Sequence, residues 1–160
     1  MKLHLPGVAT VIILIALGSN TNACVAPPTV SPERTAELML ETQRGLWRDA
    51  SSVFVARSQN VQSNLPRIGN RAELVPLLQL KGPKVDYTVH ITHTEMTSCG
   101  PSPFLNALND NSGDIFIVFA SSEQPSATSL MNTMEPSFVR DPVIIQAWQN
   151  AYDAAERNSR

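Results

Sequence analysis

The sequence predicts a small, mainly β domain with a helix at each end. Three observations carry that reading. From Val85 the side chains alternate: Val85, Tyr87, Val89 and Ile91 lie on one face and Asp86, Thr88, His90 and Thr92 on the other, the period of a half-buried strand. Residues 114–120, DIFIVFA, form the most apolar strand of the chain and suit the interior of a sheet. Ser31-Pro32-Glu33 and Asp141-Pro142 each set a capping side chain directly before a proline, which is how helices open.

In chain order, residues 1–23 read as a secretory signal. Lys2 and His4 stand in a short polar head, an apolar stretch covers 8–17, and Thr21 and Ala23 occupy the two positions a signal peptidase inspects. The apolar stretch is too short to span a bilayer. The expectation is a secreted or periplasmic domain over residues 24–160. It opens with a proline-stiffened arm, CVAPPTV, at residues 24–30. A helix then runs from Ser31-Pro32 to Arg48-Asp49, with Ala36, Met39, Leu40, Gln43, Leu46 and Trp47 in one stripe facing a core.

Residues 51–61 follow as a strand and 63–71 as a turn-rich loop. An apolar strand at 74–80 is then joined through Lys81-Gly82-Pro83 to the alternating strand, which runs out at Cys99-Gly100-Pro101. Pro83 implies a loose or bulged turn there. A short helical turn is expected around Leu105 and Leu108. The strand at 114–120 comes next, then a Ser/Thr/Pro-rich exposed loop over 121–137 with a fifth strand near 130–134. The closing helix carries an apolar stripe of Ile144, Ile145, Trp148, Ala151, Tyr152 and Ala155. Trp47, Trp148 and Tyr152 read as core anchors. A five-stranded Greek-key barrel, the OB-fold, is one of several ways such strands close.

Composition narrows the function. The chain has 12 Lys+Arg against 14 Asp+Glu, a formal charge of −2, and no basic run interleaved with aromatics, so nucleic acid is not the expected partner. Two cysteines in an exported domain imply one disulfide. His90 and His93, three apart in a strand, face opposite sides and no cluster completes a metal site, so no intrinsic metal or other cofactor is expected. His93 reads as a strand-end residue with a satisfied hydrogen bond. Cys99 as a nucleophile with His90 or His93 as base lacks an orienting third group. Glycine-rich phosphate loops are missing. A catalytic residue is therefore not assigned, and an enzyme is not the expectation.

A more specific pattern lies in the order of short motifs. The expected mature chain begins at Cys24, with Val25-Ala26-Pro27-Pro28 and a helix following. Leu80-Lys81-Gly82 ends one strand, Ser98-Cys99-Gly100 ends another, and Gly113-Asp114-Ile115-Phe116-Ile117-Val118-Phe119 leads the apolar strand before the closing helix. Over most of residues 24–152 this resembles the amino-terminal, OB-fold domain of the tissue inhibitors of metalloproteinases (TIMP), within the wider netrin-like (NTR) group. The resemblance implies a five-stranded OB-fold-like Greek-key barrel with an N-terminal and a C-terminal helix, and a Cys24–Cys99 disulfide. Closing so long a loop would stabilise the fold by ~4.5 kcal/mol on the chain-entropy model.

It also implies a protein partner, a zinc metalloprotease. The neutral α-amine and carbonyl oxygen of Cys24 would chelate the protease's zinc, and Val25 would enter the pocket beside the scissile bond, with Ala26 following. An α-amine with a reference pKa near ~8 leaves a neutral fraction at physiological pH. This chain departs from the pattern at Ala26, where such inhibitors carry a second cysteine, and lacks the other stapling cysteines. The alternative reading is a membrane-anchored lipoprotein: Ala23-Cys24 fits the end of a lipoprotein signal. Acylation of Cys24 would block chelation and leave an OB-fold binding domain with no inhibitory activity.

Overall fold

The computed structural model describes residues 30–65, 69–93, 95–97, 100–102, 105–109 and 111–158. Helix α1 (Pro32–Asp49) leads into strands β1 (Ser52–Leu65), β2 (Gly69–Lys81) and β3 (Val89–Thr92). Two short strands, β4 (Glu95–Thr97) and β5 (Gly100–Ser102), come next. A 3₁₀ turn (Asn106–Leu108), β6 (Ile115–Ala120), β7 (Leu130–Met134), a second 3₁₀ turn (Pro136–Phe138) and α2 (Pro142–Asn158) complete the chain. The expected class is therefore present: mainly β, five antiparallel strands in one sheet, and a helix on either side of them in sequence.

The sheet order is β3-β2-β1-β6-β7, all antiparallel, with β4 and β5 paired in a separate two-stranded sheet. Strands β1, β2 and β3 form a meander and β6 returns to lie beside β1, which is the Greek-key order. No ladder joins β3 to β7 among the described residues.

Side-chain alternation on β1 and β6 divides the interior in two. Phe54 and Ala56 with Phe116, Val118 and Ala120 face one cluster, which Val89, Ile91, Leu105 and Leu108 complete. Val53 and Val55 with Ile117 and Phe119 face a second cluster, covered by Ile144 and Trp148 of α2 and Leu46 and Trp47 of α1. Phe54, Phe116 and Phe119 are fully buried, and each such side chain contributes about 1.5–3 kcal/mol. Strand β2 serves both clusters. Val55 pairs with Leu78 but Ala56 pairs with Pro76, so Leu77 is an extra residue. This bulge reverses the faces: Ala72 and Leu74 enter the first cluster, Leu78 and Leu80 the second.

Several expectations change. Residues 63–65 and 69–71 belong to strands, not to a loop, because Asn60 and Asn64 take positive φ values of 51° and 59° and keep the polar end of the hairpin in an irregular ladder. Residues 85–88 are irregular. The backbone N–H of Val85 donates to Gln79 Oε1 (3.1 Å) instead of to a strand, and Tyr87 is exposed, its hydroxyl donating to the Pro125 carbonyl at 3.0 Å. Strand β3 stops at Thr92, and residues 95–97 and 100–102 pair in the small sheet. The fifth strand at 130–134 and the turn at Leu105–Leu108 both form.

The stripe of α1 is the largest revision. Gln43 is its buried residue, Leu46 and Trp47 pack on the second cluster, and Met39 is exposed, as is Ala36. The first half of the helix overhangs the sheet. On α2, Ile144 is buried and Trp148 packs inward, but Tyr152 is 59% exposed and Ala155 is also exposed, so Tyr152 is not a core anchor.

Two polar devices hold the helices in place. The Gln43 amide nitrogen donates to the Phe138 carbonyl (2.9 Å), and its oxygen accepts from the backbone N–H groups of Arg140 (2.8 Å) and Asp141 (2.9 Å). Asp141 caps α2, accepting from the N–H of Val143 (2.9 Å), and meets Arg44 Nε at 3.3 Å. At the other end of α1, Lys81 Nζ donates to the carbonyls of Trp47 (2.7 Å) and Ala50 (2.6 Å) and lies 5.7 Å from the Trp47 ring centroid. Gly82 follows with φ +81°, and a Cβ there would overlap the Ser51 carbonyl oxygen.

Gln43→Leu is expected to destabilise by about 2–4 kcal/mol, because it takes the acceptor from the buried Asp141 N–H and the partly buried Arg140 N–H; a urea midpoint lowered at constant slope checks it. Gly82→Ala combines left-handed strain with overlap and should lose on the order of 3 kcal/mol. Gly113→Ala carries strain alone, since φ is +106° but nothing lies within 4 Å, and should lose about 1–2 kcal/mol. Equal losses at the two glycines would show that the contact with Ser51 is unimportant.

Candidate functional site

Cys24, Val25 and Ala26, with Cys99, lie outside the described residues, as does the signal at 1–23. What can be placed is the ground on either side of them. The arm reaches the fold at Val30, which is exposed. Ser31 then caps α1, its hydroxyl accepting from the Arg34 N–H at 3.2 Å. Val30, Leu38 and Met39 border a shallow groove of about 230 Å³ that also touches Gln43 and Met134. On the far side, Thr97 of β4 pairs with Gly100 of β5, the residues flanking Ser98-Cys99.

The two histidines separate as their spacing implied. His90 stands on the exposed outer face of β3, its Nδ1 3.7 Å from Glu73 Oε1. His93 is buried at 6% exposure, just past the end of the strand. Among the described residues no group of three His, Cys, Asp or Glu side chains converges on a metal-sized site.

One feature had no distinct sequence signal. The bare part of the outer face of β1, β2 and β3 holds a groove of about 570 Å³ bordered by Asn60, Gln62, Arg71, Glu73, His90 and Thr92. Strand pairing assembles it: Gln62 lies opposite Arg71 and Arg71 opposite Thr92, while Glu73 lies opposite His90. Asn60 Nδ2 donates to Glu73 Oε2 at 2.8 Å. The bulge at Asn60 brings this amide over the carboxylate, and a bulge is what residue-by-residue alternation cannot foresee.

Beneath that groove, Asn70 joins three elements. Its N–H donates to His93 Nδ1 (3.2 Å), its carbonyl accepts from the His93 N–H (3.2 Å), and its side chain donates to the Leu108 carbonyl (2.9 Å) while accepting from the Asn64 N–H (3.0 Å). Because Nδ1 accepts, Nε2 carries the proton, and this buried atom has no hydrogen-bond partner among the described residues. The expected satisfied hydrogen bond is thus made at one nitrogen only. Burial pushes the His93 pKa below its ordinary value. The fold therefore favours neutral imidazole: this contribution is complete above the unfolded pKa of ~6.5 and is lost as pH falls through that value towards the lower folded pKa. A His93→Gln variant, which retains an acceptor but does not titrate, is expected to show a flatter decline in urea midpoint between about pH 7 and about pH 5 than the native chain. Parallel declines would remove His93 from this role.

Set against protein-family models, against curated proteins and against solved structures, the chain has no match.

Proposed function

We infer that the chain is an exported, protein-binding domain of the netrin-like type, its strands wrapped as an OB-like barrel and its mature end at Cys24. The sharp form of the reading is inhibition of a zinc protease by the Cys24 amine and carbonyl, with Val25 directed into the protease pocket. The observation that carries it is the strand order: a three-strand meander with β6 returning beside β1, between one helix before the sheet and one after it. That is the order in which the motifs of the resemblance occur.

The motif residues also have structural work. Lys81 and Gly82 of Leu80-Lys81-Gly82 join the end of α1 to β2. The strand led by Gly113-Asp114 pairs with β1 through Ile115–Ala120. The 3₁₀ turn at Asn106–Leu108 supports a barrel-like closure, because its Ala107 N–H donates to Thr133 Oγ1 of β7 while Leu105 and Leu108 fill the cluster shared with β3.

The decisive comparison is between the protein beginning at Cys24 and one carrying a single extra residue before it, both assayed on a panel of zinc proteases. Inhibition by the first and loss of inhibition by the second, with unchanged thermal unfolding, is expected, since the extension removes the amine from chelating position. Equal inhibition by both would eliminate chelation. No inhibition by either, with membrane association of the native chain lost in Cys24→Ser, would establish the lipid-anchored alternative.

A further inference from the structure

The bulge at Leu77 divides the outer face of the sheet. On one side of it Leu78 and Leu80 are covered by Ile144 and Trp148. On the other side the 570 Å³ groove remains open among the described residues, and its polar side chains are unequally satisfied. In the row containing Glu73 the carboxylate accepts a hydrogen bond from Asn60 Nδ2 at 2.8 Å, with His90 beside it. In the next row Thr92 Oγ1 is committed to the Asn70 carbonyl at 3.1 Å. Arg71 has no carboxylate partner and the Gln62 amide makes no hydrogen bond, among the described residues. An unanswered guanidinium beside a free amide in a concave surface is a donor set for a carboxylate.

The neighbouring edge specifies how a carboxylate would arrive. Strand β3 pairs with β2 and, among the described residues, with no strand on its other side. Its outward N–H and C=O groups are a template for an added strand, about 4.8 Å away, whose alternate side chains would lie on the same face as Arg71, Glu73, His90 and Thr92. In the Arg71 row the intervening residue is Thr92, short enough for an arginine and an incoming glutamate to meet above it. We propose that this half-face docks an extended, acidic segment of a partner protein, added along β3 with a glutamate carboxylate held by Arg71. Glu73 makes the site unsuited to a polyanion such as nucleic acid. Because Cys24 is not involved, failure of this inference and failure of the chelation reading are separate outcomes.

The probe is a labelled seven-residue peptide alternating threonine and valine with a central glutamate, followed by fluorescence anisotropy against the full chain at low salt. Two twins carry glutamine or lysine at the centre. The glutamate peptide is expected to bind about tenfold more tightly than the glutamine twin. Arg71→Gln should bring it down to the glutamine twin's affinity. Arg34→Gln, the same charge change on α1, should leave binding unaltered, and Glu73→Gln should tighten it severalfold. Equal binding of the glutamate and glutamine peptides to the native chain, preference for the lysine twin, no saturable binding, or full affinity in Arg71→Gln would each overturn the proposal. The peptide comparison needs no variant, so it stands even if a substitution disturbs folding.

Discussion

The ammonium of Lys81 is the interaction on which the arrangement of helices and sheet depends. A helix ends with carbonyl groups that have no partner within it. In α1 the carbonyl of Trp47 and, just beyond the helix, that of Ala50 converge on one cation supplied by the last residue of β2. Hydrogen bonds to a charged group are each worth about 1.5–3 kcal/mol, and here they connect elements separated by an entire hairpin. Gly82 permits the approach, since the strand passes under the Ser51 carbonyl with no room for a side chain. Gln79 tightens the same corner, its amide reaching Ser52 Oγ (3.1 Å) and the Val53 carbonyl (3.2 Å). With the end of α1 fixed there, Leu46 and Trp47 can only lie on the second cluster. Gln43 then reaches the entrance of α2.

A second constraint is the extra residue at Leu77 of β2. A strand with strict alternation has one buried face and one wet face. By inserting Leu77, β2 contributes to both hydrophobic clusters in turn, and the helices need to cover only the stretch after the bulge. The stretch before it keeps a polar outer face without any loss to the core, because Ala72 and Leu74 are already buried beneath it. A solvent-facing row of chemically varied side chains is thereby held on a rigid sheet instead of on a loop.

Much of this fold was legible because the signals were local. The capping serine and aspartate with their prolines marked α1 and α2 to within a residue, and the alternation around Val89 and Ile91 and the apolar run at Ile115–Ala120 marked two strands. What was not legible depended on partners distant in sequence. Gln43 sat in an apolar stripe, but its role emerges only when Phe138, Arg140 and Asp141 come to meet it. Asn60 falls in a stretch that reads as a strand and Asn64 in one that reads as a loop, and both adopt left-handed conformations within a ladder. Tyr152 has the spacing of a core residue and faces solvent, since α2 rests on Ile144 and Trp148. The groove around Arg71 draws on residues 60 to 92, and only the register of three strands unites them. The residues assigned from the motif resemblance, Cys24, Val25, Ala26 and Cys99, fall outside the described part of the chain.

The overhang of α1 sets how the molecule is divided mechanically. The helix is clamped at its final two turns by Gln43, Leu46, Trp47 and the Lys81 cap, whereas residues 31–39 are all exposed. Such a helix is a cantilever. Its free end can fray or bend without drawing on the packing energy of either cluster, so it lies outside the cooperative unit that unfolds with the sheet. Force or binding at Val30 is transmitted through several turns of solvent-facing helix before it reaches the core. Those turns are held by their own contacts, the Ser31 cap and the Arg34–Glu37 pair, more than by burial in the core.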